Sequence, residues 1–120
     1  MNWRLWVTDA RNRKRFGDEA ISMIDRLAIM SPTLNLYGLR TRAGFAADRP
    51  EVVVESLSNY ARLAAGMVKA GVNTSESLRK DASALRNVLD EVAKLPKVDA
   101  ARIAEVRAEI AALTSSLVTN

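Results

Sequence analysis

The sequence predicts an all-α fold, a small helical bundle whose C-terminal part is an antiparallel helical hairpin. Apolar residues fill 48% of the 120 positions, yet only two Trp, two Tyr and two Phe are among them. Ala and Leu supply much of the rest, and these suit helices, whereas strands prefer aromatic and β-branched side chains. Three Pro and five Gly leave room for long uninterrupted elements. The second half then repeats apolar residues at alternating spacings of four and three, the signature of one helix face.

A chain of this length makes one domain and is too short for two independent cores. The expected organisation is a basic N-terminal segment (1–17), a helix and irregular connection (18–49), and a three-helix core (50–120). Trp3-Arg4-Leu5-Trp6-Val7 alternates poorly. A lone strand there would have no partner, so a helical turn or an extended arm is expected. Gly17-Asp18-Glu19, followed by Ile21, Ile24, Leu27 and Ala28, gives an amphipathic helix from about 18 to 30, stopped by Ser31-Pro32. Residues 33–47 place Leu34, Leu36, Tyr37, Leu39 and Phe45 among Thr, Asn, Gly and Arg with no clean period. A short helix or an irregular connection that tucks Leu36, Leu39 and Phe45 against the bundle is expected.

The next boundary is sharper. Asp48 is a candidate cap, Pro50 has its φ preset for a first helical turn, and Glu51 and Glu55 favour the positive helix end. The stripe Val53, Leu57, Tyr60, Ala64 and Met67 then predicts a helix over 50–70, ended at Gly71. Asn73-Thr74-Ser75-Glu76 matches a capping box. It opens a helix over 74–95 with the stripe Leu78, Ala82, Leu85, Leu89 and Val92, closed by Pro96. Asp99 is a plausible cap for a helix over 99–118, with Ile103, Val106, Ile110, Leu113 and Leu117 in strict repeat. The linker Leu95-Pro96-Lys97-Val98 is too short for anything but an antiparallel return, and the helix at 50–70 packs along the hairpin as a third member.

Composition narrows the chemistry. The chain has no Cys, which removes disulfides, thiol nucleophiles and thiolate metal sites, and no His, which removes the commonest general base and transition-metal ligand. Glu105 and Glu109 lie four apart, but Arg102 and Arg107 beside them make surface ion pairing the better reading. No phosphate-cradling glycine motif occurs. No enzyme activity, cofactor or metal is therefore expected. The sequence holds no apolar run of about 18 residues, so no membrane span is expected. It opens without the apolar core of a secretory signal, which makes the cytoplasm the default location.

The net charge of +4 is uneven. Residues 1–50 carry nine Lys or Arg against five Asp or Glu, whereas residues 51–120 carry nine of each. The densest group is Arg11, Arg13, Lys14 and Arg15, with Arg4 before it and Trp3, Trp6 and Phe16 nearby. Such clusters bind phosphate through charge and counterion release, with aromatics to stack on bases. An acidic protein partner explains them equally well, and so does a solvated face, because Asp9, Asp18 and Glu19 lie close. Arg40 and Arg42, with Arg49, form a second basic group, which would join the first if the connection folds back. Trp6 is expected to plug the bundle, whereas Trp3, Leu5 and Tyr37 are candidate protein-interface residues.

Ala-rich flanks on the last helix (Ala100, Ala101, Ala104, Ala108, Ala111 and Ala112) widen its apolar face enough for a partner helix. The leading expectation is an interaction, assembly or regulatory protein that presents helix faces to another protein or to a copy of itself. The alternative is a small nucleic-acid-binding regulator using its basic N-terminal cluster.

Overall fold

The computed structural model describes residues 10–71 and 75–119. They form five helices and, among the described residues, no strand: α1 (Ala10–Met30), α2 (Leu34–Ala46), α3 (Pro50–Lys69), α4 (Ser75–Ala93) and α5 (Ala100–Thr119). The all-α class and the C-terminal helical hairpin are as the sequence predicts. The capping box at Asn73, the Trp6 plug and the arm at Trp3–Val7 lie outside the described residues.

The helix α3 is the centre of the molecule, because α2, α4 and α5 all pack against it. Three neighbours bury more of α3 than its one stripe suggests. Besides Val53, Leu57, Tyr60 and Ala64, it buries Val52, Val54, Ser56, Ser58 and Ala61. The two serines are fully buried, and each has its hydroxyl satisfied. Ser56 donates to the Val52 carbonyl at 2.6 Å, and Ser58 donates to the Glu109 carboxylate at 2.9 and 3.0 Å. Both are buried without the penalty of an unmade bond.

Against α3 the hairpin closes as its repeats require. Leu78, Ala82, Leu85, Leu89 and Val92 of α4 and Ile103, Val106, Ile110, Leu113 and Leu117 of α5 are all buried in one cluster with the α3 stripe. Arg107 to Asp90 at 2.7 Å ties the hairpin together, and Arg62 to Glu109 at 2.7 Å ties α3 to α5. The stripes of the hairpin face α3, while the alanines that flank the α5 stripe (Ala100, Ala101, Ala104, Ala108, Ala111 and Ala112) are exposed.

The N-terminal pair differs from expectation at three points. The helix α1 begins at Ala10, so the basic run lies within it and Gly17 is an interior residue. Residues 34–46 take the helical of the two expected forms, started by Thr33, whose hydroxyl accepts from the Leu36 N–H at 3.2 Å, but Leu39 and Phe45 stay exposed and are not tucked against the bundle. Arg49, not Asp48, occupies the cap position of α3 and makes no side-chain cap bond, while Asp48 takes a positive φ of 57° in the α2–α3 turn. By contrast Pro50 does open α3, Gly71 follows its end at φ 81°, and Asp99 accepts from the Ala101 N–H at 2.9 Å.

Two glycines permit the close stacking of α1, α2 and α3. A Cβ on Gly17 would lie 2.6 Å from the Ala47 nitrogen and 2.7 Å from the Ala43 oxygen. One on Gly44 would lie 2.8 Å from the Val53 Cγ2. Around these contacts Ile21, Ala43, Ala47 and Val52 form a second, smaller core.

Candidate interaction groove

The approach at Gly17 runs α1 and α2 antiparallel, touching at one end and leaving a groove along their outer side. Phe16, Ala20, Met23 and Leu27 of α1 face Leu36, Leu39 and Ala46 of α2 across a cavity of about 460 Å³. Arg13 and Arg42, both exposed, complete the wall and contribute no polar surface to it. Phe16 is 49% exposed, Met23 58%, Leu27 47% and Leu39 45%.

The helix α1 therefore carries two apolar faces. One, with Gly17, Ile21 and Ile24, is buried. The other reads Phe16, Ala20, Met23, Leu27 and Met30, at spacings of four, three, four and three; its first four members line the groove, and Met30 continues the stripe, exposed, beyond it. Alternation of this kind keeps a straight seam toward a partner helix. The stripe Ile21, Ile24, Leu27 and Ala28 mixes the two faces, because Leu27 lies on the groove while Ile21 and Ile24 are buried. The signal for the second face was the repeat extended back through Ala20 to Phe16, which is invisible when the helix is started at Asp18.

A second, larger cleft of about 720 Å³ lies between α2 and α4, which pack on α3 without contacting one another. Leu57 and Tyr60 of α3 lie beneath it, with Leu34 and Phe45 on the α2 side and Leu78, Leu85 and Val88 on the α4 side. The Tyr60 hydroxyl donates to Asp81 at 2.5 Å. Burial, then this hydrogen bond, then the charge of Asp81 push the phenol well above its ordinary value. Such a phenol stays protonated at neutral pH, which suits a structural donor and not a base. Among the described residues no group of three or more His, Cys, Asp and Glu is placed to hold a metal ion.

The predicted site residues divide. Arg13 and Lys14 are exposed on α1, and Arg15 pairs with Glu19 at 3.2 Å. Arg11 lies in α1, but its side chain, like Trp3, Arg4 and Leu5, falls outside what is described. Arg13 and Arg42 do come together, at the same groove. Arg40 does not join them. It is only 7% exposed, and its guanidinium reaches Asp25 at 2.7 Å, Ser56 at 3.1 Å and Glu55 at 3.2 Å. That side chain fastens α1, α2 and α3 together and offers nothing to a phosphate. Tyr37 is half-buried and packs against the main core, so little of it is left for a partner.

Among the described residues no helix is long and apolar enough to cross a membrane. No family model, curated protein or solved structure matches this chain.

Proposed function

We propose that the protein is a non-enzymatic interaction and assembly protein that docks a helix into the groove between α1 and α2. One observation carries this reading. Of the eight large hydrophobic side chains exposed among the described residues, seven belong to α1 and α2, and four of these (Phe16, Met23, Leu27 and Leu39) line the groove. Singly exposed apolar residues are ordinary, but their concentration on one helix pair marks an interaction surface. The spacing on α1 selects the occupant, because a four-and-three seam is filled best by another helix with the same repeat.

Nucleic-acid binding has less support. Arg40 is committed to the interior, Arg15 has an acidic neighbour, and the stems of Arg13 and Arg42 flank an apolar wall. We propose the cytoplasm as the compartment, a reading with which the lack of cysteine agrees.

A labelled amphipathic peptide with Leu at a four-and-three repeat tests the reading by fluorescence anisotropy. The native protein is expected to bind it, with a dissociation constant on the order of micromolar, and the Met23→Lys, Leu27→Lys variant at least tenfold more weakly. Both positions are about half exposed, so the variant keeps the native melting temperature. Equal binding by both proteins, or by neither at a dilution where the native protein is monomeric, would refute the assignment of the groove.

A further inference from the structure

We infer that the helix filling this groove is α1 of a second copy of the same chain, laid antiparallel so that two α1–α2 pairs close into a four-helix layer. The inference rests on the docking function proposed above and adds the identity of the occupant. Its basis is the charge beside the seam.

In the repeat Phe16, Ala20, Met23, Leu27, Met30, the residues that flank the seam on the side away from α2 are Glu19 and Arg26. Both are exposed, and Arg26 forms no ion pair among the described residues. The middle of the stripe is Met23. A two-fold axis there sets each residue opposite the one whose number brings the sum to about 46. Phe16 of one protomer then meets the partner's Met30, and Met23 meets its own copy. Glu19 falls beside the partner's Arg26, and Arg26 beside the partner's Glu19. Opposite charges on these flanks are what orient helices in coiled coils. A parallel pairing would set Glu19 beside the partner's Ile24 and gain nothing.

The area is of the right size. Taking Met and Leu as about the size of Phe, which carries roughly 150–250 Å², the exposed parts of Phe16, Met23, Leu27, Met30 and Leu39 amount to roughly 400–700 Å². The stems of Arg13 and Arg42 beside them bring the covered surface toward the ~800 Å² per partner of a standard interface. The same patch serves both copies, as a two-fold contact demands.

Sedimentation equilibrium with charge-swapped variants tests the proposal. The native protein is expected to sediment as a dimer. Arg26→Glu, which sets two carboxylates against each other at both ends of the seam, weakens dimerisation about tenfold, and Glu19→Arg does the same with two cations. Combining Arg26→Glu with Glu19→Arg restores the native constant, because each pair is re-formed in reverse. Rescue of this kind also separates the contact from the local Arg15–Glu19 pair, which the swap leaves broken. A native chain that stays monomeric while the peptide above binds overturns the second copy as occupant and leaves the groove reading intact. A monomer that binds no peptide sinks both. A dimer indifferent to the single changes, or one that the double change fails to rescue, overturns the antiparallel arrangement.

Discussion

Arg40 shows how asymmetric a buried charge is. Its partners Asp25 and Glu55 are half exposed, so water can serve either carboxylate if the guanidinium is removed. The guanidinium, whose side chain is only 9% exposed, has little such recourse if the carboxylates are neutralised. We therefore expect Asp25→Asn with Glu55→Gln to cost more, about 2–4 kcal/mol, than Arg40→Met, which fills the same space without a charge. Denaturant melts of the two variants measure the order, and the reverse order would contradict this account of the contact. Tyr60 makes a pH-dependent prediction. Its folded-state pKa is raised, so the phenol binds its proton more tightly in the native chain than in the unfolded one. That contribution is complete below the unfolded value of about 10 and is lost as pH rises beyond it. The native protein should lose stability above about pH 10 more steeply than Tyr60→Phe, which has no phenol to ionise. Parallel losses in the two proteins would contradict the link.

At the scale of elements, legibility followed the number of neighbours. The hairpin helices bury one stripe each, and every stripe residue read from the sequence is buried. The helix α2 lies between α1 and α3 and turns Arg40, Thr41, Ala43 and Gly44 inward. Two opposed buried sides, one of them charged, erase any single period. The helix α1 was read short because Gly17 looked like a boundary, when its lack of a side chain is what lets α2 approach. The groove was missed for the same reason, since its stripe starts at Phe16. An Ala at position 17 should gain about 1 kcal/mol of helix propensity but collide with backbone atoms at 2.6 and 2.7 Å. The expected net loss is about 1–3 kcal/mol by thermal melting, with the amide protection of α1 falling while that of α5 holds. A stabilised Gly17→Ala protein would contradict the close contact.

The whole molecule joins two layers with different economies. The core of α3, α4 and α5 holds its stripes inside, and α2 packs Leu34 and Tyr37 against it. The pair α1 and α2 rests on that core through Leu34, Tyr37, the small cluster and Arg40, and holds most of the exposed large apolar side chains. On the docking function proposed above, association runs through these first two helices. The most direct test uses the four methionines as reporters, two on α1 (Met23 and Met30), one on α3 (Met67) and Met1. With the methyl groups isotopically labelled, their NMR signals are followed as the protein is diluted or as a helical peptide is added. The account predicts that the Met23 and Met30 signals move together while Met67 stays in place. Signals of Met23 and Met30 that hold still while Met67 shifts would put the contact on the wrong layer and contradict it.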